Sequence, residues 1–233
     1  LERGQVAALE RAWTARVAAR ASDPEAMIGL GLVRLYTFER EKAEGWFVRV
    51  ERDSLASPRW QGAARAYRGV SLATRGEMAR GDSVLAHGLD VARKAYDPGL
   101  EVRVAVMLAR VRTLRGDVAG GQTLITQAES RAPPNDSLAR AMLLCTRATI
   151  GFYAGGTTGV QMAQEGSRLA RQLGDYRTAA VCTQWRGMQL QRAGYLTQAE
   201  SVLVNSAADA RRVGAHDVAA YSDQFRGFVL SQL

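Results

Sequence analysis

A small residue returns every 38–40 positions along almost the whole chain, and this periodicity limits the fold more than any other feature. Gly31, Gly69, Ala109, Ala148, Gly187 and Gly227 are separated by 38, 40, 39, 39 and 40 residues. A second series, Ala43, Gly81, Gly121, Val160 and Ala199, runs twelve residues behind the first. A third lies four further on: Phe47, Leu85, Ile125, Gln164 and Leu203, with only Gln164 out of character. Three series locked in phase define an internal repeat.

Each unit reads as helix, short turn, helix. Two helices joined by a short turn pack closely only where a residue with little side chain lets the backbones approach. The large apolar residue one turn later fills the space beside that contact. One hairpin cannot bury its whole apolar face, so neighbouring hairpins must stack. The expected fold is therefore all-α: a right-handed superhelical solenoid of antiparallel helix hairpins, forming one domain over residues 1–233. The units fall at about 23–57, 58–96, 97–134, 135–174 and 175–214, with a partial unit at 215–233 and an extra helix at 3–20 before them. The start at Leu1 and the helical pattern running to Leu233 read as ends cut from a longer protein.

Local signals support these boundaries. Asp23-Pro24, Ser57-Pro58 and Asp97-Pro98 each join a capping side chain to a first-turn proline. Asn135-Asp136-Ser137, Gly174-Asp175 and His216-Asp217 mark further starts, while Gly99, Gly174 and Gly214 read as stops.

The order Gly187-(x6)-Gly194-Tyr195-(x3)-Ala199-(x3)-Leu203 resembles the tetratricopeptide repeat, and so does Gly31-(x11)-Ala43-(x3)-Phe47. These units are longer than the usual repeat of about 34 residues, and several lack the closing proline. In length they are similar to the divergent arrays of bacterial multidomain regulators, among them large LuxR-type, maltose-regulator-like transcription activators. The resemblance implies a non-catalytic module that binds a protein or peptide, or a small-molecule effector, in a concave groove lined by first helices. The family's groove register implies Arg103, Val106 and Arg110 in the third unit, and Met142, Cys145, Thr149 and Phe152 in the fourth. It implies Val181, Gln184, Met188 and Gln191 in the fifth, and Tyr221, Gln224 and Phe228 in the last. Arg103 and Arg110 lie seven apart on one helix face, so together they could hold a carboxylate or phosphate.

The chemistry-bearing motifs of common enzymes are absent: there is no GxxxxGK[ST], HExxH or GxSxG. His87 and His216 stand alone, which leaves little for a histidine triad or a metal site. Gly155-Gly156-Thr157-Thr158-Gly159 occupies a hairpin-turn position and reads as a turn rather than a phosphate cradle, and Arg115-Gly116-Asp117 is likewise a turn. No catalytic residue, cofactor or metal is expected.

The net charge is +8, and all but two of the 31 basic residues are arginine, scattered among acids as in Arg40-Glu41-Lys42-Ala43-Glu44. Nucleic-acid binding would call for a denser stripe, so no direct nucleic-acid contact is expected. Cys145 and Cys182 are far apart in sequence and read as small buried residues of a reduced, cytoplasmic protein. No apolar run is long enough to span a membrane.

Overall fold

The computed structural model describes residues 3–233, with side chains from Val6 onward. The first helix is Arg3–Ala19 (α1). Three hairpins follow: Pro24–Tyr36 (α2) with Arg40–Arg52 (α3), Pro58–Thr74 (α4) with Met78–Lys94 (α5), and Pro98–Leu114 (α6) with Val118–Arg131 (α7). Two more are Ser137–Tyr153 (α8) with Gly159–Gln172 (α9) and Tyr176–Arg192 (α10) with Leu196–Arg212 (α11). His216–Leu230 (α12) is last, and there is no strand among the described residues.

Aspartates start most of the first helices. Asp23, Asp97, Asp136 and Asp175 each accept a hydrogen bond from the backbone N–H three residues on, at 2.9–3.1 Å. This satisfies a donor that a helix N-terminus otherwise leaves open. Two expected starts differ. Ser57 is the N-cap of α4 but makes no side-chain bond, and Ala215 rather than His216 or Asp217 caps α12. Gly99 is not a stop, since it lies in the first turn of α6. The turn before it reverses at Tyr96 (φ 52°), in the register where Gly174 (φ 73°) and Gly214 (φ 71°) serve the later units.

The small-residue series are the contact points of the hairpins. A methyl added at Gly69 would stand 2.6 Å from Leu85 Cγ and 3.0 Å from the Gly81 carbonyl oxygen. One added at Gly187 would stand 2.7 Å from Leu203 Cγ. At Gly31 the obstacle is the Phe47 ring. The partners are the second and third series of the same unit, as the repeat demands. Gly227 holds the same register on α12 but meets nothing within 4 Å.

Unit four departs from the sequence reading. Gly159, not Val160, lies against Ala148, and Ala163 (0% exposed), not the exposed Gln164, occupies the third-series position. The hairpin register is one residue shorter here, and α9 starts at Gly159 itself, whereas α11 starts three residues before Ala199. Ala163 is smaller than Phe47, Leu85, Ile125 and Leu203, which hold this position in the other units. Gln189, fully buried, reaches across from α10 and donates through Nε2 to the Ala148 carbonyl at 2.8 Å.

The first helices form one layer, α2 against α4, α4 against α6, and so on to α12, while each second helix packs between its own first helix and the next. Helices in mutual contact mark the inside of a bent array, so α2, α4, α6, α8, α10 and α12 line the concave side. The bend is tight enough for unit one to reach unit five. Tyr36 at the end of α2 stacks under the Arg177 guanidinium of α10, 4.1 Å from ring centre to Cζ. Val6 of α1 approaches Gly214 in the turn before α12, where an added methyl would sit 3.6 Å from Val6 Cγ2.

Candidate functional site

Side chains from different units meet on the concave face, where arginines lie against aromatic rings. Arg177 lies over Tyr36 and donates to the Asp217 carboxylate of α12. Burial works against the Arg177 charge, but Tyr36 and Asp217 outweigh it and hold the guanidinium in its charged form. Tyr36 and Tyr67 are both pushed above the ordinary phenol range by burial. Tyr67 also stacks on Phe47 with ring centres 5.8 Å apart. Beside the closing contact lies a cavity of about 50 Å³ lined by Tyr36, Asp175, Tyr176, Arg177, Val213 and Ala215.

Further along, the rings of Phe152 and Tyr153 lie 5.6 Å apart, and both stand within 5.8 Å of Trp185. Phe225 continues this run at 6.3 Å from Trp185, and Arg192 lies 4.1 Å over Phe152. Aromatic rings beside guanidinium groups suit a peptide, because they bury area at low entropic cost and offer donors as well.

The residues implied by the family register divide into three groups. Arg103 and Arg110 both face this region from α6, but they are not free together. Arg103 is 3.6 Å from the carboxylate of Asp136, the N-cap of α8. Arg110 has no such partner among the described residues. Its pKa is lowered by burial, and Arg177, Asp217, Cys145 and Cys182 lie within its electrostatic reach. The expected two-arginine clamp therefore reduces to one available guanidinium.

Thr149, Gln184 and Met188 are at most 5% exposed. The Thr149 hydroxyl donates to the carbonyl of Cys145 at 3.1 Å, and Met188 belongs to a core cluster with Cys145, Val181, Cys182 and Trp185. Val106 is buried as well. Close packing of α6 on α8 and α8 on α10 turns these register positions into interior ones. Gln191 is half-buried and donates to Gln232 at 2.9 Å. Tyr221, Gln224 and Phe228 are exposed on α12.

Tyr36, Tyr67, Arg177 and Asp217 escaped the sequence reading. Tyr36 and Arg177 are 141 positions apart, and no local pattern reports a contact made by the curvature of the array. Asp217 looked like a capping residue for α12. The neighbouring thiols Cys145 and Cys182 are free and buried, and burial raises the Cys182 thiol well above its ordinary value. A wider, open depression of about 500 Å³ between Arg20, Ser22, Pro24, Leu55, Ser57 and Trp60 lies on the loop edge, away from the converging charges. Among the described residues there is no cluster of metal-ligating side chains and no helix long and apolar enough to cross a membrane.

No protein-family model and no curated protein matches this sequence. Solved structures do match in fold. A STAND signal-transduction ATPase with a tetratricopeptide-repeat sensor from Pyrococcus horikoshii aligns over 94% of this chain with a TM-score of 0.65 and 10% identity. The chain spans only 34% of that protein. BtubC from P. vanneervenii aligns over 89% of this chain and 90% of its own, with a TM-score of 0.58 and 13% identity. A Rap protein complexed with Competence and Sporulation Factor aligns over 90% of this chain and 64% of its own, at 0.53 and 12%. The described residues thus have the architecture of tetratricopeptide-repeat solenoids, with twelve helices packed in successive pairs among them.

Proposed function

We propose that the chain is a non-catalytic recognition module that takes an extended peptide, a free one or a segment of a protein partner, into the concave channel. The observation that carries this reading is the meeting of Arg177 with Tyr36 across the array, together with the run of Phe152, Tyr153, Trp185 and Phe225 under Arg192. A narrow wall of rings and guanidinium groups complements a chain that alternates apolar and polar side chains. Tyr36 on Arg177 brings opposite walls together at one end, which favours an extended segment over a folded one. The fold similarity to a Rap protein solved with Competence and Sporulation Factor supports a binding role in this architecture. A cytoplasmic setting follows from the two free thiols only as part of this proposal.

The test is an array of random decapeptides probed with labelled protein, followed by hydrogen exchange with a captured peptide. Protection is expected on α6, α8 and α10. No capture, or protection confined to the outer helices α5, α7 and α9, contradicts the reading.

A second reading, favoured by the similarity to a tetratricopeptide-repeat sensor within a signal-transduction ATPase, makes the chain the effector-sensing arm of a multidomain activator. A ligand would then act by binding the closed and open forms of the channel unequally. A captured ligand that leaves the distance between units one and five unchanged contradicts this version.

A further inference from the structure

Tyr96 and Leu55 are the two most exposed large apolar side chains among the described residues, at 92% and 83%. Both sit in turns that lead from a second helix into the next first helix, Leu55 between α3 and α4 and Tyr96 between α5 and α6. Tyr96 is held there by a left-handed backbone that costs stability, and a ring so exposed returns none of that cost by packing. The same edge carries a row of cations at successive helix ends: Arg20 follows α1, Arg52 closes α3 and Lys94 closes α5. All three are exposed and form no ion pair among the described residues. The acids around them are engaged, Asp23 with Arg16, Asp90 with Arg93, Asp97 with Arg59, and Asp53 with the Ser22 hydroxyl. The turns adjoin in space. Ser22 lies 2.5 Å from Asp53, Arg49 donates to the Ala21 carbonyl at 3.4 Å, and Arg59, 5.5 Å over the Trp60 ring, reaches Asp97 at 2.9 Å. The open depression of about 500 Å³ lies in this edge, between Arg20, Leu55 and Trp60.

Independently of the peptide reading, we propose that this edge of units one to three is a docking surface for a membrane leaflet rich in anionic lipid. Leu55 and Tyr96 would enter the headgroup layer, which accommodates both the apolar ring and the polar tip of a tyrosine. Arg20, Arg52 and Lys94 would meet the negative surface potential, and the depression beside Arg20 would receive a lipid headgroup. Two projecting tips offer too little area for a protein partner, since a stable protein interface buries about 800 Å² on each side. A bilayer needs no such matched surface, because a few inserted side chains and a few cations add directly to its affinity. Contact through the turns would also leave the concave face, built from the first helices, open to its own ligand.

The test is co-sedimentation of the full chain, at physiological salt, with vesicles of phosphatidylcholine alone and of equal parts phosphatidylcholine and phosphatidylglycerol. Binding to the anionic vesicles only is expected, and it should fall about fivefold for each of Arg20→Gln, Arg52→Gln and Lys94→Gln. Leu55→Ser and Tyr96→Gly should weaken it as well. Both replace exposed side chains, so their melting points should not fall below wild type. Tyr195→Ser, in an α10–α11 turn on the opposite edge and 58% exposed in the native chain, should change nothing. An environment-sensitive dye on Leu55→Cys, with Cys145 and Cys182 replaced by alanine, should brighten on the anionic vesicles. Absence of binding, equal binding to neutral vesicles, or binding unaltered by Leu55→Ser and Tyr96→Gly overturns the proposal. A dye that stays dim while the chain sediments overturns insertion of this edge. If Leu55→Ser changes only the self-association of the chain, read by light scattering, the edge is a protein contact and the lipid assignment fails.

Discussion

Gly187 and Gly227 occupy the same repeat position on successive first helices, yet a methyl added to each should move stability in opposite directions. At Gly187 the new carbon would sit 2.7 Å from Leu203 Cγ and 2.8 Å from its Cδ2. Leu203 is fully enclosed, so it cannot swing into solvent to make room. Overpacking of this kind costs about 1–3 kcal/mol. Replacing a helical glycine by alanine returns roughly 1 kcal/mol of propensity. Gly187→Ala should therefore destabilise by about 0–2 kcal/mol. At Gly227 nothing lies within 4 Å, so only the propensity term remains and Gly227→Ala should stabilise by up to about 1 kcal/mol.

The assay is urea unfolding of both variants, with hydrogen exchange of α10 and α12, because a solenoid can fray at one end without a global transition. The difference between the two should be about 1–3 kcal/mol, the overpacking cost alone. Two alanine variants with the same sign and size would refute the assignment of these glycines to hairpin contacts.

Tyr96 adopts a positive φ with its ring 92% exposed, where later units place glycine. The left-handed backbone costs about 1–2 kcal/mol, and glycine gives back roughly 0.5–1 kcal/mol through the unfolded chain. Tyr96→Gly should thus raise stability by about 0–1.5 kcal/mol in a urea melt; a lower midpoint would mean that the ring makes a contact of value. Phe38→Gly should gain less, since its ring also supports Arg40 at 4.6 Å. Burial raises Tyr36, Tyr67 and Cys182 in the folded state, so their contribution is fully present below their unfolded values, about 8.5 for thiol and 10 for phenol. It is lost as pH climbs above those values, and the urea midpoint should fall between about pH 8.5 and 11; a flat profile there would contradict the buried phenols. For the same reason Cys182 should react with a thiol reagent at pH 8 only at the rate of local opening, and prompt labelling in native buffer would contradict its burial.

Most of the architecture was legible because the determinants of a hairpin repeat are local. A small residue, a turn and a large apolar residue recur in the chain at the spacing at which they meet in space, as Gly69 meets Gly81 and Leu85. Unit four is offset by one residue, and the sequence carries only indirect signs of it: Val160 is bulkier than Ala43, Gly81, Gly121 and Ala199, and Gln164 is polar where its counterparts are apolar. Gln189, a residue from the next unit, packs against Gly159 and donates to the Ala148 carbonyl.

The channel was far less legible. Arg110 was recognisable from its place on α6, but Thr149, Gln184 and Met188 shared the same register and turned out to be interior. Their burial depends on how closely neighbouring first helices approach. The meeting of Tyr36 with Arg177 depends on small rotations summed over four units. Sequence patterns report contacts within a hairpin well and accumulated curvature hardly at all.

The central claim is that this curvature brings unit one against unit five and so closes one end of the channel. The direct measurement is a pulsed electron–electron distance between spin labels on Glu41→Cys and Tyr176→Cys, both exposed positions next to the closing contact. Cys145 and Cys182 would be replaced by alanine so that only the two new thiols carry labels. A single short, narrow distance distribution is the result this account predicts. A long or broad distribution would show an open array, and the channel built from Tyr36, Arg110 and Arg177 would not exist as a site.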